Sequence, residues 1–156
     1  MVLAAHLPDG ARVLELGTGT GVGTAWIVSG LLPRTDVTVT SVEKDPDTAR
    51  AAAGGDWPSF VDLRCGGALE VLAEGGAFDL VFADAPGGKW DGLDRTVAAL
   101  RPRGMLIVDD MIPQPGWTES HRAAQDKVRE TLLSAPELTS AELAAGSGVI
   151  LSVRTG

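Results

Sequence analysis

A short apolar run followed by closely spaced glycines is the feature that most restricts how this chain can fold. The run covers residues 13–16, and the sequence from Gly17 to Gly21 then alternates glycine with threonine. A segment typical of a helix begins at Gly23. A buried strand, a glycine-rich turn and a helix N-terminus together predict a nucleotide-type binding site. Glycines let a ligand approach the backbone closely, and the first N–H groups of a helix are free to bind it.

The glycine spacing separates two classes of ligand. Dinucleotide-binding proteins carry a third glycine, or an alanine, at the sixth position of their motif. Counted from Gly17 that position is Val22, and counted from Gly19 it is Thr24. The spacing therefore disfavours a nicotinamide dehydrogenase. The stretch E-L-G-T-G-T-G that starts at Glu15 instead resembles E-x-G-x-G-x-G, the first motif of the class I S-adenosylmethionine-dependent methyltransferases.

This resemblance implies where the cofactor is held. In that family the glycine loop lies under the amino-acid half and the ribose of S-adenosylmethionine. Glu43 ends the second predicted strand, at the distance from the loop where a ribose-binding acid belongs. A solvated acid before a helix is the alternative, although Asp45 is better placed for that capping role. The predicted cofactor-binding residues are Glu15, Gly17, Thr18, Gly19, Gly21, Glu43, Lys44, Gly66, Gly67, Ala68 and Asp84.

The segment that follows the third predicted strand resembles the adenine-side loop of the same family. It reads Gly66-Gly67-Ala68 and lacks the acid that many members place there. We therefore expect backbone groups near Ala68 to contact the adenine. Cys65, the only cysteine, is expected to be a buried apolar residue and not a nucleophile.

Composition excludes several classes of function. The formal net charge is -8, and nucleic-acid-binding surfaces are normally basic. A single cysteine excludes an internal disulfide and is typical of a reducing, cytoplasmic compartment. No apolar run reaches the roughly 18 residues that a membrane span requires. The 156 residues are enough for one domain, which we expect to span residues 1–156.

Hydrophobic patterning predicts strands and helices that alternate along the chain. This alternation predicts an α/β fold of the doubly wound, Rossmann-like type, with a mostly parallel seven-stranded sheet and one antiparallel strand near the C-terminus. The predicted strands cover residues 12–16, 37–42, 61–65, 78–83, 105–108, 138–144 and 149–153. The predicted helices cover residues 23–32, 48–53, 68–72, 93–100 and 119–133, with the end of another helix at residues 1–7.

The distinctive residues fall at the carboxyl ends of the predicted parallel strands. Ligands of such sheets bind beyond those ends. The agreement in position supports one common site more strongly than any single motif does. The residues concerned are Gly17 to Gly21, Glu43, Gly66, Gly67, Asp84, Asp109 and Asp110.

Two further segments resemble the catechol and caffeoyl-coenzyme A O-methyltransferases. They are F-D-L-V-F-A-D-A-P, which contains Asp84, and L-I-V-D-D-M-I, which contains Asp109 and Asp110. The resemblance implies that these three aspartates hold a divalent metal that binds the acceptor hydroxyls. Carboxylates suit Mg²⁺ or Ca²⁺, and a metal lowers the pKa of a bound hydroxyl. The alternative is that Asp84 only lines the cofactor pocket while Asp109 and Asp110 cap a loop.

The resemblance also implies a lysine base three residues after the aspartate of the fourth strand. Here that position is Gly87, and Lys89 lies two residues later. Lys89 and Asp84 are therefore the predicted catalytic residues, with an ordinary surface lysine as the alternative. Trp90 and Trp117 lie in loops at the same edge of the sheet and are expected either to wall an aromatic acceptor or to pack on the scaffold. His6 and His121 are expected at the surface.

The leading hypothesis is a metal-assisted methyltransferase that acts on a hydroxyl of a small, aromatic molecule. The resemblance covers residues 12–153, but relatives carry several helices before the first strand where this chain has about ten residues. We therefore expect a shortened N-terminus, an open acceptor site and a possible homodimer, with no nucleic-acid or membrane partner. The alternatives are a methyltransferase for nitrogen or another acceptor, and a cofactor-binding module without catalysis.

Overall fold

Fourteen helices and strands follow one another along the chain. The computed structural model describes residues 1–156. In chain order the elements are α1 Val2–Ala5, β1 Arg12–Leu16, α2 Val22–Leu31, β2 Thr38–Glu43, α3 Pro46–Ala53, β3 Val61–Cys65, α4 Ala68–Ala73, β4 Phe78–Ala83, α5 Pro86–Lys89, α6 Leu93–Ala98, β5 Leu100–Val108, α7 Glu119–Ser134, β6 Leu138–Leu143 and β7 Val149–Arg154.

The seven strands form one sheet in the order β3-β2-β1-β4-β5-β7-β6. Strands β1 to β5 pair in parallel. β7 pairs antiparallel with both β5 and β6. The prediction of a mostly parallel, doubly wound sheet with one antiparallel strand near the C-terminus is therefore confirmed. The strand order reverses between β1 and β4, which is where ligands of such sheets bind.

Both faces of the sheet are covered, and this explains why the central strands β1 and β4 are mostly apolar. Along β1, Leu14 and Leu16 pack into a core under α4, α6 and α7, while Val13 packs into a second core under α1 and α2. Side chains that alternate along a strand point to opposite faces, so a strand covered on both sides has no polar face. Each fully buried leucine contributes on the order of 2 kcal/mol to the free energy of unfolding.

The fifth strand is longer than the sequence predicted. It begins at Leu100 and not at residue 105, so residues 101–104, which lie between the predicted helix and the predicted strand, belong to it. Its register with β4 shifts between Phe78, paired with Leu100, and Leu80, paired with Met105. The strand bulges here because Pro102 has no N–H to donate and Arg103 has a left-handed φ of 67°. The preceding helix accordingly ends at Ala98.

The other differences between the predicted and the observed elements are small. The first helix is a single turn over Val2–Ala5, and the helix after the glycine loop is Val22–Leu31. The segment after β4 contains the short turn Pro86–Lys89, whose backbone departs from helical geometry at Gly87 and Gly88. No helix has both the length and the apolar character that crossing a membrane would require.

Candidate functional site

Backbone hydrogen bonds beyond the strand ends bring the predicted site residues to one edge of the sheet. Gly17 N donates to Val42 O at 3.0 Å, and Gly66 N donates to Glu43 O at 2.9 Å. On the other side of β1, Asp84 N donates to Leu16 O at 2.9 Å. The loops that follow β1, β2, β3 and β4 are therefore fixed to one another at the carboxyl edge, as the sequence predicted.

The glycine loop needs its glycine at the first position for two reasons. Gly17 has a φ of 103°, in the left-handed region that side chains rarely adopt. A Cβ at this position would also lie 2.8 Å from the carbonyl oxygen of Asp84. The loop closes through a hydrogen bond from Gly21 N to Thr18 O at 2.9 Å, and α2 begins at the next residue. The loop therefore lies directly against the end of β4.

Glu15 lies beneath this loop and does not line the cleft above it. Its side chain is fully buried, and Oε2 accepts hydrogen bonds from the hydroxyls of Ser41 and Thr24. Oε1 has no hydrogen-bond partner among the protein atoms. Burial raises the pKa of Glu15 to about 7, although both hydroxyl hydrogen bonds oppose the shift. The structure thus places Glu15 as a support for the loop, and direct contact with the cofactor stays a prediction.

Glu43 stands between the glycine loop and the start of α3. Its Oε2 accepts from Gly19 N and its Oε1 from Asp45 N, each at 3.0 Å. A carboxylate oxygen can accept two hydrogen bonds, so each keeps one free acceptor position. Glu43 lines two adjoining cavities of about 300 and about 140 Å³, and the smaller one is also lined by the exposed Lys44.

The loop after β3 closes the smaller cavity. Gly66 and Ala68 line it, and Glu70 accepts a hydrogen bond from Gly67 N at 3.1 Å. Asp45 rather than Glu43 caps α3 by accepting from Thr48 N, as the sequence indicated. The expectation that Cys65 is buried is wrong. Cys65 is the last residue of β3, where the sheet ends, and its side chain is exposed in the larger cavity.

Asp84, Asp109 and Asp110, which we call the acidic group, follow the two central strands β4 and β5. Asp84 is exposed and lines the same small cavity as Gly17 and Glu43. The surrounding protein nevertheless displaces part of the water around this carboxyl group, which raises the pKa of Asp84 to about 6, and the negative charges of Asp109 and Asp110 add to the shift. The three aspartates are therefore near enough to repel one another, as the predicted metal site requires.

The oxygens of the acidic group are nevertheless not arranged as metal ligands. No group of three His, Cys, Asp or Glu side chains in the protein is placed to hold a metal ion. Asp109 Oδ1 accepts hydrogen bonds from Ser147 Oγ and from Asp110 N. This carboxylate ties the loop after β5 to the loop between β6 and β7, so it has the capping role that the sequence left open. The residues as placed do not fit the predicted metal.

Lys89 is buried, with only 4% of its surface exposed, so the interpretation as an ordinary surface lysine is wrong. Its Nζ donates to the carbonyl oxygen of Asp109 at 2.8 Å. The non-helical geometry at Gly87 and Gly88 turns the chain inward, and Thr96 Oγ1 holds Gly88 O at 2.7 Å. Burial lowers the pKa of Lys89, while the three aspartates oppose that shift. The lysine thus reaches the acidic group despite its displaced position in the sequence.

An aromatic cluster of Trp90, Trp117 and His121 stands beside the acidic group. The His121 ring stacks on Trp117 with 4.1 Å between ring centroids and meets Trp90 edge-on at 4.7 Å. Gln125, one turn further along α7, accepts from Trp90 Nε1 at 3.0 Å and donates to Asp110 O at 2.5 Å. The buried Gln125 therefore connects the aromatic cluster to the loop that carries the acidic group. His6 is exposed as expected, whereas His121 is partly covered by the two tryptophans.

Sequence reasoning missed the residues that support the site from elsewhere in the chain. Ser147 and Gln125 lie far in sequence from the partners they contact. His121 contacts the nearby Trp117 and also the distant Trp90. His121 and Gln125 are spaced four residues apart on α7, which puts them on one helix face. That spacing is the signal that could have indicated a polar and aromatic face directed at the site.

Comparison with known proteins agrees with this geometry. Residues 14–111 match the family model described as "Methyltransferase domain". A protein of Mycobacterium tuberculosis strain H37Rv, named a probable O-methyltransferase, is 32% identical over 167 aligned residues, which cover 99% of this chain and 74% of that protein. The relative is thus longer than this chain.

Solved structures share the fold over nearly the whole chain. A cofactor-bound protein from MTB is 26% identical, with a TM-score of 0.78, and the match covers 93% of this chain and 73% of that one. The O-methyltransferase from Bacillus cereus, in complex with SAH, has a TM-score of 0.80 at 23% identity, covering 94% and 75%. The chain belongs to the methyltransferase-domain family, within its S-adenosylmethionine-dependent O-methyltransferases.

Proposed function

We propose that this chain transfers the methyl group of S-adenosylmethionine to a hydroxyl of a small aromatic molecule, with Lys89 and Asp84 at the point of transfer. The observation that carries the proposal is the buried Lys89, whose Nζ holds the carbonyl oxygen of Asp109, while Asp84 of the same acidic group lines the cavity beside Gly17. The family membership supplies the cofactor and the class of reaction. The two side chains identify where on the sheet edge the acceptor oxygen would lie.

The cofactor fits along the edge from β1 to β3. Its amino-acid half would lie over Gly17 and Gly19, and its ribose would take the free acceptor positions of Glu43. The adenine would lie against the backbone at Gly66 to Ala68, near the exposed Lys44. These assignments are supported by the residues that line the smaller cavity, since Gly17, Glu43, Lys44, Gly66, Ala68 and Asp84 all do so. This direction places the methyl group toward Asp84.

The transfer step is a displacement at the methyl carbon. The acceptor oxygen forms the new bond to carbon while the carbon–sulfur bond breaks and its electron pair goes to sulfur, leaving S-adenosylhomocysteine. The hydroxyl proton passes to the carboxylate of Asp84. A pKa of about 6 makes that carboxylate a stronger base than an ordinary aspartate while it remains ionised at neutral pH. Lys89 lies where negative charge would develop on the acceptor oxygen, and a fixed positive group there lowers the barrier.

The aromatic cluster supports an aromatic acceptor. Trp90 is adjacent to Lys89 in the sequence, and Gln125 holds its indole against the loop of Asp110. Trp117 and His121 extend the same surface along the start of α7. Aromatic rings stack on one another with specific geometry, so an acceptor ring beside this cluster would be oriented as well as bound.

The predicted divalent metal, Mg²⁺ or Ca²⁺, is not part of this proposal. Its three predicted ligands do not converge, and no step above passes through it. The homodimer, the cytoplasmic location and the lack of nucleic-acid and membrane partners also stay predictions. Light scattering of the purified chain would measure its mass in solution and decide between monomer and dimer.

A titration and a turnover assay test the proposed function. We expect S-adenosylmethionine to bind saturably by calorimetry, and S-adenosylhomocysteine to accumulate with at least one member of a panel of hydroxylated aromatics. Lys89→Met should lower kcat about a hundredfold, the usual contribution of one group at a reacting centre, with little change in the Kd of the cofactor. The exposed Lys127 provides the control, because Lys127→Met removes the same group from the surface of α7. A folded protein that does not bind the cofactor would contradict the proposal.

A further inference from the structure

The acidic group resembles a metal site in sequence, but its carboxylate oxygens are not arranged around a common metal position. Three aspartates at the ends of β4 and β5 present charges that repel one another. A positive group nearby stabilises such a cluster, because neighbouring negative charges repel one another. The structure shows a positive group already in place, namely the ammonium of Lys89.

We propose that methyl transfer in this centre requires no divalent metal, and that the ammonium group of Lys89 supplies the positive charge beside the acceptor oxygen. The inference rests on the proposed function, because it concerns the same methyl-transfer site. It departs from the expectation that the resemblance to the catechol-type enzymes raised.

The first argument is that Asp109 is committed to another role. Its Oδ1 holds Ser147 Oγ and Asp110 N. Two backbone bonds join the same loops, from Met111 N to Gly148 O at 2.9 Å and from Ile112 N to Ser147 O at 2.7 Å. With Oδ1 held by Ser147 Oγ and Asp110 N, only Oδ2 of Asp109 is left for a metal, and as placed the three carboxylates do not converge on one position.

The second argument is the position of Lys89. Its Nζ donates to the carbonyl oxygen of Asp109, so the ammonium lies against the backbone that joins β5 to Asp110. The rest of the side chain is enclosed, and the inward turn at Gly87 and Gly88 leaves it no exposed alternative. The ammonium already offsets part of the negative charge of the acidic group, so it weakens the attraction of this group for a divalent cation. The ammonium of Lys89 therefore takes the place of a bound divalent metal ion.

The balance of charge agrees with this arrangement. The three aspartates and Lys89 leave a net negative centre, which suits the positively charged sulfonium of S-adenosylmethionine. The developing charge on the acceptor oxygen is then stabilised locally by Lys89, without reorganisation at the moment of transfer. No side chain hydrogen-bonds to the carboxylate of Asp84, so its oxygens are free to take the proton. If Asp84 were a metal ligand, one of these oxygens would be bound to the metal instead.

Calorimetry with the metal alone tests the inference independently of activity. Millimolar Mg²⁺ is titrated into the wild-type protein, Lys89→Met and the control Lys127→Met, each freed of metal with EDTA. We expect no saturable binding to the wild type or to the control. In Lys89→Met the acidic group loses its internal cation, so Mg²⁺ should bind and raise the melting temperature of this variant alone. Saturable Mg²⁺ binding to the wild type that is lost in Asp109→Asn would overturn the inference.

Turnover adds a second readout. The wild-type rate in excess EDTA should equal the rate in Mg²⁺, and Lys89→Arg should keep this indifference to metal because it retains the charge. Loss of activity in EDTA with recovery in Mg²⁺ would also overturn the inference. If Lys89→Met does not fold, the wild type and Lys89→Arg still decide the question. Absence of cofactor binding would contradict the proposed function instead, and the Mg²⁺ titration would still report on the metal.

Discussion

The two halves of the site are held in place by different kinds of contact. The cofactor half, made of the loops after β1, β2 and β3, is held mainly by backbone groups, such as Gly17 N on Val42 O and Gly66 N on Glu43 O. The acceptor half is made of the loops after β4 and β5 and the start of α7. Side chains supply many of its long-range contacts, beside two backbone hydrogen bonds from Met111 N and Ile112 N. There Ser147 donates a hydrogen bond to Asp109, which lies 38 residues earlier in the sequence, and Gln125 accepts one from Trp90, which lies 35 residues earlier.

This difference has a physical reason. A site held by backbone hydrogen bonds depends on where the chain can turn, so a local pattern of glycines is enough to specify it. A side-chain network depends on groups that meet only after the sheet has formed. Changes in the cofactor half should therefore act on cofactor affinity through the shape of the backbone. Changes in the acceptor half should act on stability and on kcat while leaving cofactor affinity intact.

Gly17→Ala is the change with the largest expected effect. The new Cβ would lie 2.8 Å from Asp84 O, and the residue would have to keep a φ of 103°. Relief of this contact moves the loop away from β4, so we expect the affinity for S-adenosylmethionine to fall at least about a hundredfold, a loss of roughly 3 kcal/mol. Calorimetric titration of the cofactor measures it.

Gly10→Ala is the matched control for that experiment. Gly10 also has a positive φ, of 69°, but a Cβ there would meet no atom within 4 Å. It carries the conformational strain without the steric contact, and we expect cofactor binding to be unchanged. Equal losses of affinity in the two variants would show that strain, and not the approach of the loop to β4, determines binding.

Gln125→Leu tests the acceptor half. The substitution leaves Trp90 Nε1 and Asp110 O without their buried partner, so we expect the free energy of unfolding to fall by about 2 kcal/mol. Urea denaturation measures this loss, while the Kd of S-adenosylmethionine should stay the same. Gln114→Leu, in the exposed part of the loop after β5, serves as the control. A weaker affinity for the cofactor in Gln125→Leu would contradict the division into two halves.

The sheet and the cofactor half were largely predictable from the sequence. The β-branched and apolar runs indicated all seven strands, and the carboxyl ends of parallel strands must meet at one edge. The start of β5 was not predictable, because Arg101 and Pro102 are typical of a turn and only pairing with β4 draws them into a strand. Arg101 also donates to Asp79 of β4 at 2.9 Å, a contact that local patterns do not reveal.

The acceptor half was predictable in its residue types but not in their roles. The sequence indicated Asp84, Asp109 and Asp110, yet nothing local shows that Ser147 engages Asp109. Lys89 lies two residues beyond the position that the resemblance implies, yet it reaches Asp109 O because the chain bends at Gly87 and Gly88. Burial of Cys65 was expected from its strand, but the strand ends at that residue and the cavity begins.

Glu43→Gln should produce a smaller effect than Gly17→Ala within the cofactor half. The amide keeps one oxygen acceptor but replaces the other by a donor that opposes Gly19 N or Asp45 N. We expect the affinity for S-adenosylmethionine to fall about tenfold, or about 1.4 kcal/mol. Glu130→Gln, on the exposed face of α7, is the control and should bind normally. Unchanged affinity in Glu43→Gln would remove Glu43 from the cofactor site.

Glu15→Gln is expected to change stability with pH rather than cofactor binding. The pKa of Glu15 is about 7 in the folded protein, above its ordinary value of 4.5, because burial disfavours the charged form. Between these two pH values the folded protein holds a proton that the unfolded chain releases. The contribution of Glu15 to the free energy of unfolding is therefore full below about pH 4.5 and is lost as the pH rises toward 7.

The glutamine cannot ionise, so its contribution does not depend on pH. Within that window we expect the wild type to lose up to about 1.4 kcal/mol per pH unit relative to Glu15→Gln, measured by urea denaturation at a series of pH values. Glu130→Gln, which removes an exposed carboxylate, should instead follow the wild type. Because Glu15 lies beneath the glycine loop, the cofactor Kd of Glu15→Gln should match that of the wild type. A large loss of affinity would instead mean that Glu15 contacts the cofactor directly, and that the cofactor half depends on a buried side chain as well as on its backbone.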